Sequence, residues 1–120
     1  MKRVYISGPM TGLPNLNFAA FNAEAARLRA LGYEVVNPAE LHTDSATAKS
    51  WEECMRVDLQ AMLDCDTVAT LPGWQRSRGA HLELHVAHRL DLAIVDAAAI
   101  TFPWAPSAEE LASVARAAGC

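Results

Sequence analysis

The chain has 120 residues, 52% of them hydrophobic and 20% charged, which suits one domain around one core and leaves little room for a second. Its formal net charge is −4 and its pI is near 5.5, with the 10 basic side chains scattered rather than clustered. That balance argues against a surface that follows a nucleic-acid backbone, whereas a small phosphorylated ligand needs only a few local donors and stays open.

Val4-Tyr5-Ile6 is a β-type run that ends in a turn-rich loop from Gly8 to Gly12. Asn17 is the expected cap of a helix from about Phe18 to Leu31, where Phe18, Phe21, Ala25, Leu28 and Leu31 recur at helical spacing. Gly32 supplies a stop, and Tyr33-Glu34-Val35-Val36 reads as a second strand closed by Asn37-Pro38. Residues 42–49 are polar and small and are expected to form a loop. Ser50 with Glu53 has the capping-box pattern for a helix running to about Leu63. Thr67 to Leu71 is the third strand, followed by the loop Pro72 to Gly79 and a helix from about Ala80 to Leu90. Leu92 to Val95 is the fourth strand, Ala99-Ile100-Thr101 is a possible fifth, and Ser107 caps a last helix through about Ala118.

Strand and helix alternate throughout, which predicts an α/β fold of one domain over residues 1–120. Its sheet is doubly wound, mainly parallel, with four or five strands and helices on both faces, flavodoxin-like or Rossmann-like in its three layers. Such sheets bind ligands beyond the carboxyl ends of their strands. The loops after the first and third strands are therefore the expected walls of a site, with Gly8, Pro9, Met10 and Gly79 as substrate-binding positions.

Two acids break the helical patterns. Asp58 lies three residues after Met55 and four before Met62, inside the apolar stripe of its helix. Glu83 lies between Ala80 and Ala87 on the apolar face of the next helix. An unpaired buried carboxylate costs several kcal/mol, so two such residues on successive helices point to a function. Glu83 is also expected within about a turn of its helix N-terminus, where the dipole favours the ionised form. One ionised carboxylate and one acid suit cleavage of a glycosidic bond: the first attacks the oxocarbenium-like centre, and the second protonates the departing base. Glu83 and Asp58 are the catalytic pair on this reading.

At these residues the chain resembles the nucleoside 2-deoxyribosyltransferase superfamily, above all its deoxynucleoside 5′-monophosphate N-hydrolase branch and related small domains. The likeness is carried by Val4-Tyr5-Ile6-Ser7-Gly8, by Asp58-Leu59 followed by Asp66-Thr67-Val68-Ala69, and by Ser77 to Leu84. It implies Glu83 as the nucleophile and Asp58 as the family's aspartate, eight residues before Asp66. It further implies Tyr5 as a lining of the nucleoside pocket, Ser77 as a phosphate contact, and Ser107 as a second one. The first loop departs from the hydrolases, with Pro9 and Thr11 where they carry Ser and Arg. The resemblance also implies no cofactor, a nucleoside or nucleotide substrate, and a homodimer or larger homo-oligomer with shared sites.

Other chemistry fits less well. His81, His85 and His88 share a helix, but neither a zinc-protease nor a deaminase motif is complete, so a surface cluster without metal is expected. The first loop is neither a P-loop nor a dinucleotide fingerprint, and no serine sits in a nucleophile elbow. Cys54 is expected to pack rather than react, and Cys54, Cys65 and Cys120 form no C-x-x-C pair. Met1-Lys2-Arg3 leads straight into a strand and no stretch reaches membrane-spanning length, so a cytoplasmic protein with reduced thiols is expected. Base exchange by a transferase and a non-catalytic nucleotide-binding module are the alternatives to hydrolysis.

Overall fold

The computed structural model describes residues 1–42, 50–106 and 108–117. Four parallel strands, β1 (Arg3–Ser7), β2 (Glu34–Val36), β3 (Thr67–Thr70) and β4 (Ala93–Asp96), form one sheet in the order β2-β1-β3-β4. The helices between them are α1 (Phe18–Ala30), the short α2 (Pro38–Leu41), α3 (Trp51–Leu63) and α4 (Arg78–Arg89), and α5 (Ala108–Ala117) follows β4. This is the three-layer α/β architecture that strict alternation predicts. The order reverses at β1, so a crevice opens between the loops after β1 and β3.

Two apolar cores lie on opposite faces of the sheet. Phe21, Ala25 and Leu28 of α1 pack on Val4, Ile6 and Ala69. Met62 of α3 and Ala87 of α4 pack on Tyr5 and Val68 from the other side. The register explains the division: Tyr5 pairs with Val68 and Val68 with Ile94, while Ile6 pairs with Ala69 and Ala69 with Val95, so neighbouring residues along each strand feed different layers. The edge strand β4 is barely covered, and Ile94 is exposed. Among the described residues no helix is long and apolar enough to cross a membrane.

Several local expectations need correction. Asn17 does not cap α1; it has a left-handed backbone, and its side-chain amide donates to the Pro9 carbonyl at 3.0 Å. No fifth strand forms among the described residues. Ala97–Ala99 is a 3-10 turn, and Ile100 turns into the α1 core instead. The reason is Arg27, whose guanidinium donates to the carbonyls of Ala97 and Ile100 at 2.7 Å each, satisfying groups that a strand neighbour would otherwise take. After β2 the chain does not simply turn. Asn37 caps the added helix α2, its side-chain oxygen accepting from the Ala39 amide at 3.0 Å with Pro38 in the first turn. Ser50 caps α3 as expected, its hydroxyl oxygen accepting from the Glu53 amide at 3.1 Å, while the Glu53 carboxylate lies 3.2 Å from that hydroxyl. Of the stretch 42–49 only His42 is described, and Ser107 lies outside the described residues.

Gly8 fixes how closely the two ligand loops approach. A β carbon at that position would lie 2.7 Å from the Leu71 Cβ, nearer than carbon atoms can pack. Gly8→Ala is expected to destabilise the fold by about 1–3 kcal/mol, read as a lower urea midpoint with an unchanged slope. An unaltered midpoint would mean that the two loops separate at no cost.

Candidate active site

Tyr5 and Ser7 are two residues apart on β1 and so point to the same face of the sheet, the one that α4 covers. There they meet Glu83. The Tyr5 hydroxyl donates to Glu83 Oε2, and the Ser7 hydroxyl donates to Oε1 at 2.7 Å. All three side chains are buried. Each carboxylate oxygen therefore has its own hydroxyl donor, which meets the need of a carboxylate withdrawn from water.

Burial nonetheless dominates the protonation of this group. It lifts the Glu83 carboxyl from its ordinary 4.5 to about 7, against the lowering effect of the Tyr5 and Ser7 hydrogen bonds, and the nearby Asp58 charge adds a further push upward. The expected help from the helix dipole is weak. α4 starts at Arg78 rather than Ala80, so Glu83 sits in its second turn, beyond the reach of the free amides. The Tyr5 phenol is raised well above its usual value, first by burial and then by the Glu83 charge, and stays protonated as a donor.

Asp58 is buried on α3. Its Oδ1 lies 2.6 Å from His42 Nε2, and both side chains are nearly covered. His42 Nδ1 is buried with no hydrogen-bond partner among the described residues. Sequence reasoning missed this histidine, because it follows a four-residue helix with no periodicity to place it. It also missed Ser7 as a partner of Glu83, although the two-residue spacing from Tyr5 was a usable signal.

Glu83, Asp58, His42 and Tyr5 line one cavity of about 350 Å³, within the range of small-molecule sites. Gly8, Met10, Ser77 and Gly79 line it too, as expected from their loops, while Pro9 faces a neighbouring concavity. The remaining wall is apolar and was not foreseen: Phe18, Phe21, Pro38, Trp51 and Met55 contribute to it, with Cys54 beside them. Ser77 has a second task, since its oxygen accepts from the Ala80 amide at 3.1 Å and caps α4. Trp74 packs on His81 outside the cavity, and His81, His85 and His88 are exposed. Among the described residues no group of three His, Cys, Asp or Glu side chains is placed to hold a metal ion.

Fold and crevice together define a doubly wound parallel α/β domain with a buried carboxylate at its strand-order reversal. The chain belongs to the family described as "Domain of unknown function (DUF4406)", which matches residues 2–96 and thus β1 through β4 with both cavity acids. The fold is also similar to the crystal structure of a conserved protein from Enterococcus faecalis V583, with a TM-score of 0.63 and 21% identity over 80% of this chain. The chain spans 62% of that protein's length, and the likeness is one of fold alone. No curated protein sequence matches the chain.

The raised Glu83 carboxyl has a consequence for stability. The folded state keeps this proton to higher pH than the unfolded chain does, so its contribution is whole below about 4.5 and is lost as pH rises through about 7. Glu83→Gln removes that loss. Relative to its difference from wild type at pH 4, the variant is expected to gain ~2–3 kcal/mol by pH 8. Urea unfolding across this range measures it, and parallel curves for the two proteins would place the carboxyl's titration near its ordinary value.

Proposed function

We propose that the protein cleaves the N-glycosidic bond of a nucleoside or its 5′-monophosphate, with Glu83 as nucleophile. The observation that carries this reading is the buried Glu83 carboxylate, held by two hydroxyls, in one cavity with the Asp58–His42 pair. A pure binding module has little reason to bury two acids in its pocket. The resemblance to the nucleoside 2-deoxyribosyltransferase superfamily puts the same two residues in the reacting roles.

The chemistry runs in two steps. Glu83 attacks the anomeric carbon as the bond to the base nitrogen breaks, and the electron pair leaves with the base. Asp58 supplies the proton that the departing base takes up, with His42 at 2.6 Å holding its carboxyl in place. Water then attacks the glycosyl ester, its proton returns to Asp58, and Glu83 leaves as a carboxylate. The apolar wall of Phe18, Trp51 and Met55 suits a planar base. In a transferase the same ester would be resolved by a second base instead of water. Oligomerisation belongs to the same proposal: exposed Leu90 and Ile94 offer apolar surface to a second copy.

Incubation with a panel of nucleosides and monophosphates, with free base detected by chromatography, tests the reading. Glu83→Gln is expected to lower base release at least about 10³-fold, and Asp58→Asn about 10²–10⁴-fold, both with the fold intact. Activity should rise with pH through about 7 as Glu83 ionises, and Tyr5→Phe should move that rise to higher pH by removing a donor that favours the carboxylate. Addition of a second free base separates exchange from hydrolysis. Full turnover in the Glu83→Gln protein, or no release from any compound by the folded wild type, sinks the proposal.

A further inference from the structure

Beside the acidic chamber lies a second concavity of about 420 Å³. The two adjoin, since Thr11, Trp51 and Ser77 line both. Their charges are opposite. The chamber is lined by Glu83, Asp58 and His42, whereas the ionisable side chains of the annexe are Arg76 and Arg78. Among the described residues neither annexe guanidinium pairs with a carboxylate, so both are available to an anion.

The two guanidiniums have different neighbours. Arg76 Nη2 lies beside Gly73, 3.6 Å from where a β carbon added there would sit. Arg78 lies over Trp51, its guanidinium carbon 3.7 Å from the centre of the indole ring. A guanidinium held over a ring keeps its N–H donors for a phosphate oxygen. Between the two, Ser77 uses its oxygen to cap α4 and keeps its O–H as a donor.

We infer that the annexe binds a pyrophosphate group, so that chamber and annexe together take a nucleoside diphosphate or one of its esters. Two guanidiniums and the Ser77 hydroxyl on one concavity offer more donors than a lone phosphate fills, and they match the charge and acceptors of two linked phosphates. Only the nucleoside end of this ligand rests on the glycosidic reading above; the pyrophosphate end rests on the annexe itself.

Calorimetric titration of the whole chain with inorganic phosphate and with pyrophosphate, at matched ionic strength, tests the inference. Pyrophosphate is expected to bind at least about tenfold more tightly than phosphate, and Arg76→Ala and Arg78→Ala each to weaken it about tenfold with Tm unchanged. Both side chains are exposed, so folding is not at stake. Equal affinity for the two anions, or arginine variants that bind pyrophosphate as wild type does, overturns it. Base-release assays keep the two readings apart. Arginine-dependent pyrophosphate binding without cleavage of any nucleotide upholds the annexe and removes the glycosidase. Cleavage of nucleosides with phosphate and pyrophosphate bound alike does the reverse.

Discussion

The site depends on a single constraint: a carboxylate placed where water cannot reach it. Burial alone would leave Glu83 neutral and inert as a nucleophile. Two hydroxyls from β1 counter this by donating to its two oxygens. The balance leaves a carboxyl that titrates near 7, so both protonation states are accessible close to neutrality. The same balance explains why Tyr5 and Ser7 tolerate complete burial, since each finds in Glu83 the partner that a buried hydroxyl needs.

The sheet makes this arrangement possible. A parallel strand sends alternate side chains to opposite layers, so Tyr5 and Ser7 rise together towards α4, while Val4 and Ile6 anchor the other core. At the base of the sheet, the Asp66 carboxylate accepts from the backbone amides of Lys2 and Arg3 at 3.0–3.2 Å and tethers the start of β1 to β3. Its pKa is lowered despite partial burial, because the Thr67 hydroxyl and those amides favour the charge. Thus Asp66 ties the sheet together and Glu83 faces the cavity, although both are acids beside β1.

Period and alternation made most of the fold legible in advance. The stripes of α1, α3 and α4, the strands and the crevice between the first and third loops all follow from spacing. Asp58 and Glu83 were visible because each interrupts an apolar stripe. What spacing did not show was set by contacts between distant segments. The turn at Ala97–Ala99 replaces a strand because Arg27, on α1, takes its carbonyls. His42 reaches Asp58 only because Asn37 caps a helix of four residues and redirects the chain. Spacing places Glu83 within reach of the helix dipole, but the start of α4 at Arg78 puts that acid beyond it.

β1 is the hub of the molecule, hydrogen-bonded to β2 on one side and β3 on the other. The groups that tune Glu83 therefore sit on the element least free to vary, and altering them risks the whole fold. The walls are different: Thr11 and Leu16 are exposed, and a new side chain there disturbs little. Such a division would let ligand preference drift among related chains while the setting of the carboxylate stayed frozen.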